Sequence, residues 1–202
     1  AIRSDWSQPL AQWRRGAGLN FAHCPSAFLC YNHRVGSTLA AEICMLQIGQ
    51  PAPVFDLPDA DMEMVSLASY RNRRNVVVYF YPRDNTPGCT LESTEFSDLQ
   101  DEFERCHTEV LGISMDDFLS HSEFRDKNGI AVRLLSDVEG EVCGSYGVLQ
   151  EKELDGVRRN CIQRSTFVID KRGIIVQAWY GVKARGHAAD VLQTIRSNGK
   201  CK

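Results

Sequence analysis

The stretch Asn75-Val-Val-Val-Tyr-Phe-Tyr81-Pro82-Arg-Asp-Asn-Thr86-Pro-Gly-Cys89-Thr-Leu-Glu92 decides the fold. From Val76 to Tyr81 every residue is β-branched or aromatic, the composition of a buried central strand. Pro82 ends the strand, and Asp84-Asn-Thr-Pro-Gly88 is a cluster of turn residues. A helix is then expected from about Cys89 to Arg105. Phe96, Leu99, Phe103 and Cys106 recur at helical spacing and form one apolar face. Glu92 and Glu95 lie near its start, where negative charge suits the helix dipole.

Outward from this unit, Glu109 to Ser114 reads as the next strand. Asp116 or Asp117 can cap a helix through Phe118 and Phe124 to Lys127, closed by Asn128-Gly129. Arg133 to Leu135 is a short strand and Glu139 to Tyr146 a short helix. Ser165 to Ile169 and Ile174 to Trp179 flank the turn Asp170-Lys-Arg-Gly173, a hairpin signature, and Gly186 to Ser197 closes the chain with a helix. Alternating strands and helices followed by a hairpin and a helix suit an α/β fold. Its mixed central sheet would be flanked by helices on both faces.

Residues 1–44 differ in composition from the remainder of the chain. They hold three of the eight cysteines and two of the three tryptophans, and show no persistent period. Three readings stay open: sequence upstream of a start at Met45, an Arg-bearing targeting segment, or a flexible tail. The organisation expected is an N-terminal extension over 1–44 and one domain over 45–202. The location expected is cytoplasmic, or organellar if the extension is a targeting segment.

A net charge of −3 offers no basic footprint for nucleic acid. The longest apolar run, Val76 to Tyr81, is far shorter than the roughly 20 residues a membrane span needs. Cysteines at 24, 30, 44, 89, 106, 143, 161 and 201 include no CxxC pair, which argues against a zinc site and a thioredoxin-type redox motif. Most read as reduced thiols. His107, His121 and His187 show no metal-ligand spacing and read as surface or structural; neither metal nor cofactor is expected.

Position singles out Cys89. Where a strand has ended and a helix begins, unpaired N–H groups and the helix dipole face the sulfur. Such placement can bring a thiol from about 8.5 into the range of about 3.5–7.5, and the thiolate is the nucleophile. Thr86 can place a hydroxyl beside the sulfur, while Pro82 and Pro87 stiffen the loop and limit the approach of water and large oxidants. The plainer reading, a small apolar residue in the first turn, has no bearing on chemistry.

Pro82-x-x-x-Thr86-x-x-Cys89 matches the peroxiredoxin active-site motif, and Thr-Pro-Gly-Cys-Thr resembles the bacterioferritin comigratory protein, or peroxiredoxin Q, branch. The similarity extends over most of 46–195. It takes in Gly49-x-x-Ala-Pro53-x-Phe55, Leu111-Gly-Ile-Ser114, Leu135-Ser-Asp137, Phe167-Val-Ile-Asp170 and Val182-Lys-Ala-Arg-Gly-His187. The resemblance implies a thioredoxin-like fold and reduction of hydrogen peroxide or alkyl hydroperoxides through a sulfenic acid at Cys89. It also implies an arginine from a distant strand, which Arg164 matches, and an acid orienting that arginine, which Glu92 matches. Many members of the branch carry a resolving cysteine five residues after the first; here that residue is Thr94. Cys143 and Cys161, and less so Cys201 in the C-terminal tail, are the candidate substitutes, and Cys106, 17 residues along the same helix, reads as core. The leading expectation is a one-cysteine mechanism served by thioredoxin, glutaredoxin or glutathione, in a monomer or weak homodimer. The alternative is a non-catalytic redox sensor or chaperone-like protein of the same fold; a thiol–disulfide oxidoreductase is disfavoured by the missing CxxC.

Overall fold

The computed structural model describes residues 45–154 and 157–197; the reading of 1–44 lies outside the described residues. The order is β1 (Asp56–Pro58), β2 (Met64–Ser66), a 3-10 turn (Leu67–Tyr70), β3 (Asn75–Phe80), α1 (Pro87–Asp98), α2 (Gln100–Arg105), β4 (Thr108–Ser114) and α3 (Phe118–Asn128). It continues with β5 (Arg133–Ser136), α4 (Glu141–Ser145), β6 (Leu149–Leu154), β7 (Val157–Ile162), β8 (Ser165–Ile169), β9 (Ile175–Tyr180) and α5 (His187–Ser197).

Strand β3 is buried along its whole length because it sits at the centre of the five-stranded sheet β5-β4-β3-β8-β9. It pairs in parallel with β4 and antiparallel with β8, so the sheet is mixed as expected. Alternate residues of β3 feed two separate apolar layers. Val76, Val78 and Phe80 join Leu111, Ile113, Phe167, Cys143 and Tyr146 on one face. Val77, Tyr79 and Tyr81 join Cys89, Phe96, Phe103, Phe124, Val191 and Ile195 on the other. The helices divide unequally: α1, α2, α3 and α5 cover the second face, and only α4 with the 3-10 turn and the β1–β2 hairpin covers the first.

Helix α1 is seated by Tyr79. The ring stacks on Phe96 with centroids 4.6 Å apart, and its hydroxyl donates to Ser93 Oγ at 3.0 Å. It can lie there only because its neighbour in register is Gly112, where a Cβ would come within 2.6 Å of the ring. The expected helix 89–105 begins earlier, at Pro87, the first helical position that proline favours, and is interrupted at Leu99. Asp117 caps α3 by accepting from Ser120 N–H at 2.8 Å, and Gly129, at φ 63°, ends it. The sequence reading missed β1, β2 and the antiparallel β6–β7 pair.

Candidate active site

The loop after β3 stays attached to the sheet for one more residue, since Tyr81 N–H donates to the Ile113 carbonyl at 3.1 Å. Pro82 and Arg83 are exposed, and Asn85 adopts a left-handed φ of 56° that turns the chain toward α1. Thr86 is the extended residue before the helix; its carbonyl accepts from Thr90 N–H at 2.9 Å. Pro87 has no N–H, and those of Gly88 and Cys89 fall in the first turn, where a helix supplies no partner.

Cys89 is 1% exposed and belongs to the apolar layer beneath α1. Its polar contact comes from 75 residues away: Arg164 Nη2 donates to Sγ at 3.1 Å. Arg164 lies between β7 and β8, and its carbonyl accepts from Val182 N–H at 3.1 Å. Its Nη1 donates to Glu92 Oε2. Glu92 stands one turn after Cys89 on the same helix face, so one planar guanidinium spans sulfur and carboxylate.

The structure thus brings Cys89, Arg164 and Glu92 into contact. Thr86 differs from the expectation. Its hydroxyl donates to the Arg83 carbonyl at 3.2 Å, not to the sulfur, which leaves it only lone pairs to offer there. Pro82 is a rim residue, exposed. Cys143 lies in the opposite apolar layer, across the sheet from Cys89, with its N–H on Asp137 Oδ2 at 2.7 Å. Burial, then the neighbouring Asp137, pushes its thiol well above the usual range. Cys161 is a half-buried free thiol on β7, paired with Gln150. Cys106 is in the apolar layer as expected, and is disulfide-bonded.

Burial and charge act in opposite senses on the ion pair. Burial pulls Arg164 down, but Glu92 and Cys89 outweigh it and its pKa is raised, so the guanidinium stays charged. Burial pushes Glu92 up to about 7 against the pull of Arg164. The carboxyl is therefore the member that titrates near neutrality. Its other oxygen, Oε1, is buried without a hydrogen-bond partner. A carboxyl raised in the folded state from about 4.5 stabilises the fold below its unfolded pKa and loses that contribution as pH rises through about 7. Between about pH 4.5 and 7, stability from this group falls by on the order of 1–3 kcal/mol. Urea unfolding across that range is expected to show the slope in the parent chain and a flatter profile in Glu92→Gln.

The AhpC/TSA family description matches residues 48–178, a span that holds the loop, Cys89, Glu92 and Arg164. The chain belongs to the AhpC/TSA family. Its place in the bacterioferritin comigratory protein, or peroxiredoxin Q, branch follows from its relatives. Peroxiredoxin Bcp of Xanthomonas campestris is 39% identical over 152 residues, covering 74% of this chain and 94% of that protein. Peroxiredoxin Bcp of Escherichia coli is 38% identical over 153 residues, covering 76% of this chain and 97% of that protein. A crystal structure of a Xylella fastidiosa PrxQ mutant superposes with a TM-score of 0.72 at 35% identity, covering 76% of this chain and 98% of that one. A Xanthomonas campestris bacterioferritin comigratory protein, studied for alkyl peroxide reduction, gives 0.68 at 36% identity over 71% of this chain and 91% of that one. As a peroxiredoxin of this branch the chain is a thiol peroxidase with the thioredoxin-like fold.

Asp84, within the loop that precedes α1, and His121, in α3 beside it, escaped the sequence reading. Asp84 read only as part of a turn, and His121 as surface or structural; both are buried and bonded to each other at 2.9 Å. The one available signal was an acidic residue, Asp84, between two prolines.

Proposed function

We propose that Cys89 is the peroxidatic residue, that Arg164 and Thr86 serve it, and that an external thiol completes the cycle. The observation that carries this reading is the Arg164 N–H on Cys89 Sγ, with Glu92 behind it. The Cys89 thiolate attacks the terminal oxygen of a hydroperoxide, ROOH. An S–O bond forms as the O–O bond breaks; the electron pair leaves on RO⁻, which takes a proton to become an alcohol, or water when R is hydrogen. Arg164 stabilises negative charge first on sulfur and then on the departing oxygen. Thr86 Oγ accepts from the peroxide O–H, the role left to it by its own bond to Arg83. Pro82 shapes the rim. The substrates are hydrogen peroxide and alkyl hydroperoxides.

The sulfenic acid then reacts with a thiol to give a mixed disulfide and water, and a second thiol frees Cys89. Cys143 is an unsuitable resolver because a sheet separates it from Cys89 and a disulfide needs Cα atoms within about 7 Å. Thr94 stands where many members of the branch place that cysteine. Among the described residues that leaves Cys161 as the internal candidate; Cys201 lies outside them. Glutathione, glutaredoxin or thioredoxin acts as the reductant, in a monomer or weak homodimer located in the cytoplasm. Residues 1–44 form an extension outside the catalytic domain, 45–202. No described helix is long and apolar enough to cross a membrane.

One equivalent of peroxide followed by non-reducing mass spectrometry tests the cycle. The expected product is a dimedone-trappable sulfenic acid at Cys89, with Cys143→Ser and Cys161→Ser both retaining turnover. A stoichiometric Cys89–Cys161 disulfide would replace the one-cysteine scheme with an internal one.

A further inference from the structure

We propose that Asp84 and His121 are a positioning pair that holds the Pro82–Thr86 loop, and through it the Cys89 sulfur, in register with Arg164. The inference rests on the peroxidatic reading of Cys89. Asp84 lies between two exposed residues, Arg83 and Asn85, yet is itself buried. Its Oδ1 accepts from Tyr81 Oη at 2.8 Å. Its Oδ2 accepts from Ser120 Oγ at 2.8 Å and from His121 Nδ1 at 2.9 Å. Its N–H donates to Asp116 Oδ2 at 2.8 Å, an oxygen that also accepts from Ser114 Oγ. One loop residue is thus tied to the ends of β3 and β4 and to the first turn of α3.

A carboxylate only accepts, so the pair requires the Nδ1–H tautomer of His121. The ring is fully buried: Nδ1 faces Asp84 Oδ2 at 2.9 Å and, at 3.3 Å, the Tyr81 hydroxyl that also serves Asp84, while Nε2 has no partner. Nothing in the ion pair around Cys89 needs Asp84 or His121. Their effect is mechanical. Asn85 follows Asp84 in a left-handed conformation, and Thr86 follows Asn85 at the entrance to α1. Local strain of this kind persists when the surroundings hold it. Arg164 reaches the sulfur from a separate part of the chain, anchored by β8 and Val182. Loosening Asp84 therefore moves Thr86 and the first turn of α1 while Arg164 stays in place. A misplacement of about 1 Å at a reacting centre costs about 100-fold in rate.

The test compares two reactions of Cys89 by stopped flow: oxidation by hydrogen peroxide, which needs the aligned site, and alkylation by iodoacetamide, which needs only a reachable thiolate. His121→Leu is expected to slow oxidation about 10- to 100-fold, and alkylation far less. His121→Asn, whose side-chain amide can donate from near the Nδ1 position, is expected to recover most of the oxidation rate. Asp84→Asn, which turns an N–H₂ toward the donors, is expected to repeat the selective loss and serves if the leucine variant does not fold. Unchanged oxidation in a folded variant overturns the pair, as do equal losses in both reactions or an asparagine variant no better than leucine. If the parent chain itself shows no fast oxidation at Cys89, the peroxidatic reading fails instead, whatever the variants do.

Discussion

Cys89→Ser is expected to abolish peroxide turnover while leaving the fold intact. The substitution exchanges one buried atom for a smaller one at a 1% exposed position and removes no apolar side chain from the layer beneath α1. Stability should therefore stay close to that of the parent chain. The chemistry cannot survive. A serine hydroxyl at neutral pH is not ionised by one guanidinium, and no hydrogen bond joins Glu92 to residue 89 through which its carboxyl could take the proton: Oε2 is on Arg164, and Oε1 has no hydrogen-bond partner. Loss of an activated nucleophile is felt as about 10³-fold or more in turnover. Coupled peroxide consumption with thioredoxin, and separately with glutathione, checks the loss; circular dichroism and urea unfolding check the fold. Activity retained in the serine variant would sink the assignment of Cys89 and direct attention to Cys161, the one free thiol among the described residues that is not fully buried.

The legibility of this site in the sequence was uneven, for physical reasons. Strand β3, the loop and α1 could be read because a strand buried on both faces must be continuously apolar, and because proline and glycine mark the turn into a helix. Helix α5 could be read because its inward residues Ala188, Val191, Leu192 and Ile195 keep helical spacing. Strands β1 and β2, of three residues each, are too short to show a period. The β6–β7 pair was hidden by charge: Gln150 to Glu153 has the composition of a solvated loop, and the signal passed over was the dipeptide Asp155-Gly156 between the two strands. Arg164 could be chosen only through the family resemblance, because what joins it to Cys89 is the pairing of β3 with β8. The Asp84–His121 contact has the same origin, the parallel pairing of β3 with β4, and no local pattern announces it. Cys143 shows the converse: its short helix was legible, but not the face of the sheet on which it would lie.

Arg164→Leu is expected to separate the two duties of the guanidinium, because they fail on different scales and with different pH dependence. Removing a donor aimed at developing negative charge costs about 10²–10³-fold in rate. The second-order rate constant with hydrogen peroxide should fall by that factor at every pH where Cys89 reacts. The structural loss is conditional. Breaking a buried ion pair leaves a carboxylate without its partner, at a cost of about 3–5 kcal/mol. Glu92, however, is fully buried and already raised to about 7 with Arg164 present, so without it the carboxyl escapes by keeping its proton. The variant's stability deficit should accordingly be small near pH 5 and grow as pH rises toward 8, where the unfolded chain releases the proton and the folded one retains it. Adding Glu92→Gln to Arg164→Leu should flatten that deficit without restoring the rate. Arg164→Lys should sit between: an ammonium can neutralise Glu92 but has no planar fork to reach Sγ at the same time, so stability returns further than activity does. Equal recovery of both in the lysine variant would show that charge alone, and not the geometry of the fork, is what the sulfur requires.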